Sequence, residues 1–251
     1  MTKNIVSVAA ALLGAGALLS SCNFEQPEAG CIVQDASLNN WYAKYDVEGD
    51  APSAECDRFI PKGETLGVFK FTNPEEGREG ETKLTIRPSG LASRGARDPG
   101  DPYLQTAVGA MVDEPDAGNF CGASDFSAAT VNASARAANP DTGVTAEDAT
   151  VITYQFEDVN VYSSPSAPGT QLKGTLAYTR VVQREGGPLT CTARLKVRAL
   201  WPVAACDPAS NEPRNSCGAG SGVNPDFDAV CDPVLKFCVP AGEIPSFRAQ
   251  D

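Results

Sequence analysis

Eight cysteines downstream of an export signal set the first limit on how this chain can fold. Met1 to Lys3 supplies positive charge, and an uncharged, mostly apolar run follows from Ile5 to Leu19. The run has signal-peptide length and is short for a bilayer span. Export carries the chain to an oxidising compartment, where an even set of cysteines forms a disulfide framework. Beyond Cys22 these are Cys31, Cys56, Cys121, Cys191, Cys206, Cys217, Cys231 and Cys238. None lies in a Cys-x-x-Cys pair, so neither a thioredoxin-like redox motif nor a paired zinc knuckle is indicated. Sequence proximity suggests Cys31 with Cys56, Cys121 with Cys191, and two bridges among the last four.

The signal closes with Leu19-Ser20-Ser21-Cys22. This resembles the lipobox of bacterial lipoproteins: a branched apolar residue, two small residues and a cysteine. The resemblance implies cleavage before Cys22, whose thiol carries the lipid, and a bilayer as the first partner. Asn23 rather than Asp follows the cysteine, which by that family's sorting rule implies the outer membrane. More than one acyl chain makes such an anchor firm. Residues 1–21 are then the signal peptide, and 22–30 a lipidated N-terminus with a short tether.

Strand alternation is the clearest pattern in the remainder. In Thr190–Trp201, Cys191, Ala193, Leu195, Val197, Ala199 and Trp201 share one face, with Thr192, Arg194, Lys196 and Arg198 on the other. That is a half-buried strand with Cys191 inward. Ile152, Tyr154 and Phe156 group similarly, as do Val159 with Val161, and Leu172 with Leu176 and Tyr178. Leu66–Phe71 and Lys83–Arg87 are earlier strands. Ser163–Gly169 and Glu185–Pro188 have turn composition. With 23 Gly and 19 Pro, and no helical stripe anywhere, the chain is expected to be all-β. The expected architecture is an antiparallel β-sandwich over residues 31–205 with long loops. Residues 206–251 then form a Cys-rich segment, poor in apolar residues and held by its bridges rather than by a core.

The chain has no histidine, which removes Ser-His-Asp and Cys-His catalysis and His-based zinc sites. Between about pH 5.5 and 7.5 no side chain titrates at its ordinary pKa, so stability is expected to be flat there. The net charge of −12 opposes nucleic-acid binding. Asn224, Asp226 and Asp228 have the spacing that opens an EF-hand loop, and they are weak calcium candidates. Ala229 stands where the loop glycine belongs and Leu235 where its bidentate Glu belongs, so an Asx/Pro turn is the preferred reading. Asp98–Pro102 and Asp113–Asp116 are acidic turns. Glu75-Glu76 and Glu157-Asp158 offer carboxylates for sugar cleavage, but neighbours along a strand point oppositely and a working pair needs partners from elsewhere. Trp41, Tyr42 and Tyr45 suit the core better than a glycan or bilayer contact. No cofactor motif is present.

Three blocks carry a wider resemblance: Gly30–Asp35 with Trp41–Tyr45, Gly67–Pro74, and Asn224–Asp228. Together they resemble the MlpA-like outer-membrane lipoproteins of myxobacteria across nearly the whole exported chain. The resemblance implies an address rather than an activity and assigns no functional residue. The leading reading is a non-enzymatic binding or structural module of the cell envelope, with an envelope protein or glycan as partner. The alternatives are a carboxylate-based carbohydrate-active enzyme, or an inhibitor-like module in the Cys-rich tail.

Overall fold

The computed structural model describes residues 30–72 and 81–249, so Cys22, Asn73-Pro74 and Glu75-Glu76 lie outside the described residues. The large sheet is built from β1 (Trp41–Glu48), β2 (Gly63–Phe71), β3 (Lys83–Pro88), β4 (Ala107–Met111), β5 (Phe120–Ser124), β6 (Ala129–Ala133), β7 (Thr150–Ser164), β8 (Ala167–Val182) and β9 (Leu189–Leu200). All neighbours run antiparallel. The expected all-β, antiparallel architecture is present. Its opposing walls belong to one sheet, ordered β5-β4-β3-β2-β1-β9-β8-β7, which closes on itself because β5 also pairs with β7.

Closure depends on an irregularity in β7. From Thr150 to Tyr154 its free edge pairs with β6, and from Val159 to Tyr162 with β5. Between the two, the register with β8 shifts from Glu157 to Asn160, and Asp158 adopts a φ of 50°. Such a bulge turns the strand and strengthens its twist. The facing residue must be small: a Cβ on Gly174 would stand 3.1–3.2 Å from Val159 and the Glu157 carbonyl.

Eight strands enclose a space that side chains can just fill. Trp41, Leu66, Val68, Leu84, Ile86, Ile152, Tyr154, Phe156, Leu172, Leu176 and Leu195 fill it here, in step with the sequence alternation. Trp41, Tyr42 and Tyr45 are buried, so the core reading of this aromatic group is correct. Two single-turn helices, α1 (Ala54–Asp57) and α2 (Ser89–Ala92), lie beside one end of the barrel, and Leu91 of α2 is inserted in the core.

The opposite end is covered by the segment that follows Gly30. The Cys31 N–H donates to Asp113 O at 2.7 Å, Ile32 N–H to Ser163 Oγ at 3.0 Å and Gln34 N–H to Gly169 O at 3.0 Å. Lys70 Nζ donates to Cys31 O at 2.5 Å. Four disulfides are present: Cys31–Cys121, Cys56–Cys191, Cys206–Cys231 and Cys217–Cys238. The first two overturn the proximity pairing. A closing sheet brings β5 back to the start of the chain, so Cys121 meets Cys31 across 90 residues, and Cys56 is left for Cys191.

After β9 the chain crosses the outer surface of β1, β9 and β8. The Phe237 ring stacks on Tyr42 at 4.1 Å, Lys44 Nζ bonds Asp232 at 2.9 Å, and Arg198 Nη1 reaches Gly242 O at 2.8 Å. This cover explains why Tyr42 and Leu200, on the outward side of their strands, are buried. A two-stranded hairpin, β10 (Ala229–Cys231) with β11 (Cys238–Pro240), sits within it. The segment shares a small core with the barrel surface, which the sequence expectation did not include: Phe227 is fully buried among Ala167, Leu200, Val223, Cys217 and Cys238.

The bridge pattern gives a direct check. Digestion without reduction should yield linked peptides for Cys31–Cys121 and Cys56–Cys191. Replacing both Cys31 and Cys121 by Ser should lower the unfolding free energy by about 2–4 kcal/mol. Recovery of a Cys31–Cys56 peptide would contradict the closed arrangement.

Candidate functional site

The barrel end opposite Cys31 carries a half-buried carboxylate and a cluster of arginines around a cleft of about 340 Å³. Three segments build it. The first, residues 53–61, is fixed by the Cys56–Cys191 bridge and by Tyr178 Oη, which donates to Phe59 O at 3.0 Å. Ser53 Oγ caps α1 by accepting from the Cys56 N–H at 3.3 Å. The second, α2 and its C-terminal extension, is held by buried Leu91 and supplies Ser89, Gly90, Ser93 and Arg94. The third is the β7–β8 wall, which supplies Ile152, Tyr154, Tyr178 and Arg180.

Glu64 forms the floor, opposite Ala43 of β1. It shares the inward face of β2 with Leu66 and Val68, an unusual place for a carboxylate. Four donors meet it: Tyr154 Oη at 2.8 Å and Tyr45 Oη at 3.1 Å on Oε1, and Gly90 N at 2.5 Å with Ser89 Oγ at 3.2 Å on Oε2. Gly90 makes its approach possible, since a Cβ there would sit 2.8 Å from Tyr154 Oη. Burial pushes the Glu64 carboxyl above the ordinary glutamate range against these four bonds. Burial also holds the tyrosines in their protonated, donating form, with Tyr178 at about 12 despite the opposing charge of Arg180. An ionised carboxylate offers about four acceptor positions. All are engaged, so Glu64 ties β1, β2, α2 and β7 together rather than standing free as a general base.

Beside it, Glu147 is ringed by arginines: Arg94 Nη2 at 2.6 Å, Arg97 Nη2 at 2.5 Å, Arg180 Nη2 at 3.1 Å and Arg136 Nη2 at 4.0 Å. Burial alone would raise the Glu147 carboxyl, but the bonds and charges of Arg94 and Arg97 outweigh it and hold the carboxyl below its usual range. Over the turn at 58–61, the guanidinium groups of Arg58, Arg180 and Arg184 lie 4.7, 4.9 and 5.4 Å from the Phe59 ring centroid.

Of the residues singled out in the sequence, Tyr45 and the Cys56–Cys191 pair come to this site, while the calcium, acidic-turn and paired-carboxylate candidates within the described residues do not. Asn224 Oδ1 accepts the Asp226 N–H at 3.0 Å and its Nδ2 donates to Ser166 O at 3.2 Å, the Asx turn expected there. Asp228 is bound through its backbone to Ser246 and Ala241. Asp98 Oδ1 and Asp101 Oδ1 accept backbone N–H groups of Gly100 and Tyr103, and Asp116 Oδ1 those of Gly118 and Phe120. Glu157 pairs with Arg194 at 2.8 Å on the outer surface. Among the described residues, the one group of three Cys, Asp or Glu close enough to share an ion is Cys206, Cys217 and Cys231, whose sulfurs are all in disulfides. Also among the described residues, no helix is long and apolar enough to cross a membrane. The sequence contained one signal for Glu64, the in-phase spacing Glu64, Leu66, Val68. It contained none for the arginines, which arrive from four separate segments.

A family model described as MlpA matches residues 39–202. A curated relative from Myxococcus xanthus, named "Putative lipoprotein MlpA", is 45% identical over 257 residues, covering 99% of this chain and 100% of its own. No solved structure matches the chain.

The two glutamates of the site make stability depend on pH with opposite signs. The folded chain releases the Glu64 proton at higher pH than the unfolded chain. Unfolding free energy therefore falls as pH rises from the ordinary glutamate value of about 4.3 through the raised folded value, then levels off. Glu147 contributes stability above the ordinary glutamate range, and that contribution is lost as pH falls through its lowered value. In Glu64→Gln the amide oxygen keeps Gly90 and the amide nitrogen donates to the tyrosine oxygens. Denaturant unfolding at successive pH values should show the Glu64 fall in the wild type and not in this variant. Glu64→Ala leaves buried donors unpaired and should cost about 2–4 kcal/mol. An unchanged pH profile in Glu64→Gln would assign the titration to another group.

Proposed function

Because this chain belongs to the MlpA family, one of whose members is named as a lipoprotein, we propose that Cys22 anchors it to the outer membrane as a non-enzymatic binding module that holds its cleft open away from the bilayer. The observation that carries this reading is the opposition of the two barrel ends. Seven residues, 23–29, separate Cys22 from the described chain, a reach of at most about 28 Å from Cys22 to Gly30. The chain enters at the end covered by Cys31 and Lys70. Glu64 lies six residues back along β2 from Lys70, about 20 Å away at the other end. Because the chain enters at the Cys31 end, a lipid at Cys22 favours that end toward the membrane and the arginine-lined end toward the aqueous space.

The binding reading is favoured over sugar cleavage by the lining of the cleft. Two-carboxylate hydrolysis needs an acid and a base or nucleophile flanking one bond. Glu64 is the one carboxylate among the lining residues, and its acceptor positions are occupied.

Density-gradient fractionation of cells expressing the full chain should place it with the outer membrane. Cys22→Ala should abolish fatty-acid labelling and move the protein out of that fraction. A glycoside hydrolysis screen on the same preparation should show no turnover. Labelled fatty acid on Cys22→Ala would contradict the anchor, and turnover abolished by Glu64→Gln would contradict the non-enzymatic role.

A further inference from the structure

The arginines of the cleft carry an imbalance of charge that the fold does not resolve. Six guanidinium groups, of Arg58, Arg94, Arg97, Arg136, Arg180 and Arg184, gather around three carboxylates. Glu147 binds Arg94, Arg97 and Arg180, Glu55 binds Arg184, and Glu64 is surrounded by hydroxyls and one N–H. The nearby Asp57 is already matched by Lys62 at 2.5 Å. This cationic excess stands in a chain whose net charge is −12. Three of the guanidinium groups crowd one ring, that of Phe59, within 5.4 Å of its centroid. The ring faces attract cations, but the cations repel one another, and that repulsion weakens only slowly with distance in a half-buried cleft. Arg58 is exposed at the cleft wall and, among the described residues, forms no ion pair; its guanidinium lies over the Phe59 ring.

We infer that the cleft binds a phosphate monoester carried on a small polar molecule, with Arg58 and Arg180 as its charged walls and the Phe59–Pro61 turn as its apolar side. The guanidinium fork matches phosphate oxygens in pairs. A dianion offsets two of the excess guanidinium charges, where a single carboxylate offsets one. The cleft volume of about 340 Å³ has room for a phosphate and a body of a few heavy atoms. The same phosphate chemistry is offered by free phosphorylated metabolites and by a phosphomonoester lipid headgroup. The position of the cleft at the barrel end opposite Cys31, the end the proposed anchor leaves toward the aqueous space, favours the free form. The inference rests on the binding-module reading.

Calorimetric titration of the full lipidated chain in detergent micelles tests it, using inorganic phosphate and glycerol 3-phosphate as probes and acetate as a monoanion control. Both phosphates should bind and acetate should be at least about tenfold weaker. Arg58→Ala removes an exposed side chain that stacks on Phe59 and pairs with no carboxylate among the described residues, and should weaken phosphate binding about tenfold. Arg214→Ala, which removes a guanidinium paired with Glu212 in the C-terminal segment, should leave binding unchanged. Arg58-dependent capture by vesicles containing phosphatidic acid would support the same chemistry with the headgroup as its source. Absence of heat with both phosphates, or equal affinity in Arg58→Ala and Arg214→Ala, overturns the inference. Binding of a neutral sugar with no phosphate response would overturn it while leaving the binding-module reading in place. Release of phosphate from glycerol 3-phosphate would instead overturn that reading and keep anion recognition.

Discussion

The hydrogen bonds between β5 and β7 are the constraint on which the rest of the structure depends. Without them the sheet would be an open ribbon with two free edges, and residues such as Trp41, Leu84 and Phe156 would line a face with nothing opposite. Edges of that kind are avoided in natural sheets, and full closure removes them. The closure rests on a few residues: Asp158 in a left-handed conformation, the bulge from Glu157 to Asn160, and Gly174 leaving room for it. At that point β7 stops pairing with β6 and starts pairing with β5.

A closed sheet has two ends, and each is sealed differently. At one, the residues after Gly30 lie across the opening and are fastened by Cys31–Cys121. At the other, polar groups do the sealing. A glutamate with four donors joins β1, β2, α2 and β7, and a second glutamate gathers three arginines from β8 and the turn after α2. Buried ion clusters of this type are poor sources of net stability, because desolvation offsets most of the attraction. Their presence at the open end is better accounted for by the cleft they shape than by the stability they add.

The strands were legible because burial on one face imposes alternation. Thr190–Trp201 and Ile152-Tyr154-Phe156 follow it in the structure as they do in the sequence. What was not legible is non-local. Glu157-Asp158 looks like an interruption between two short strands, whereas β7 runs through it as one strand of 15 residues. Ser163–Gly169 has the composition of a loop, yet β7 reaches Ser164 and β8 begins at Ala167. Closure reverses the nearest-neighbour cysteine pairing, because it places β5 beside the first cysteine. Phe227 and its small core depend on cover from Ala167 and Leu200, which no local pattern announces. The arginines of the cleft converge only once α1, α2, the approach to β7 and β8 are in place.

In the proposed orientation, one end of this barrel faces the membrane and the other a ligand. Paramagnetic broadening of backbone amides, measured on the lipidated chain in bilayer discs carrying a nitroxide lipid, tests it most directly. The amides of residues 31–38, 70–72 and 112–113 should be broadened, and those of Arg58–Ile60 and Gly90–Arg94 should remain sharp. Equal or stronger broadening at Arg58–Ile60 would place the cleft against the bilayer and contradict the account.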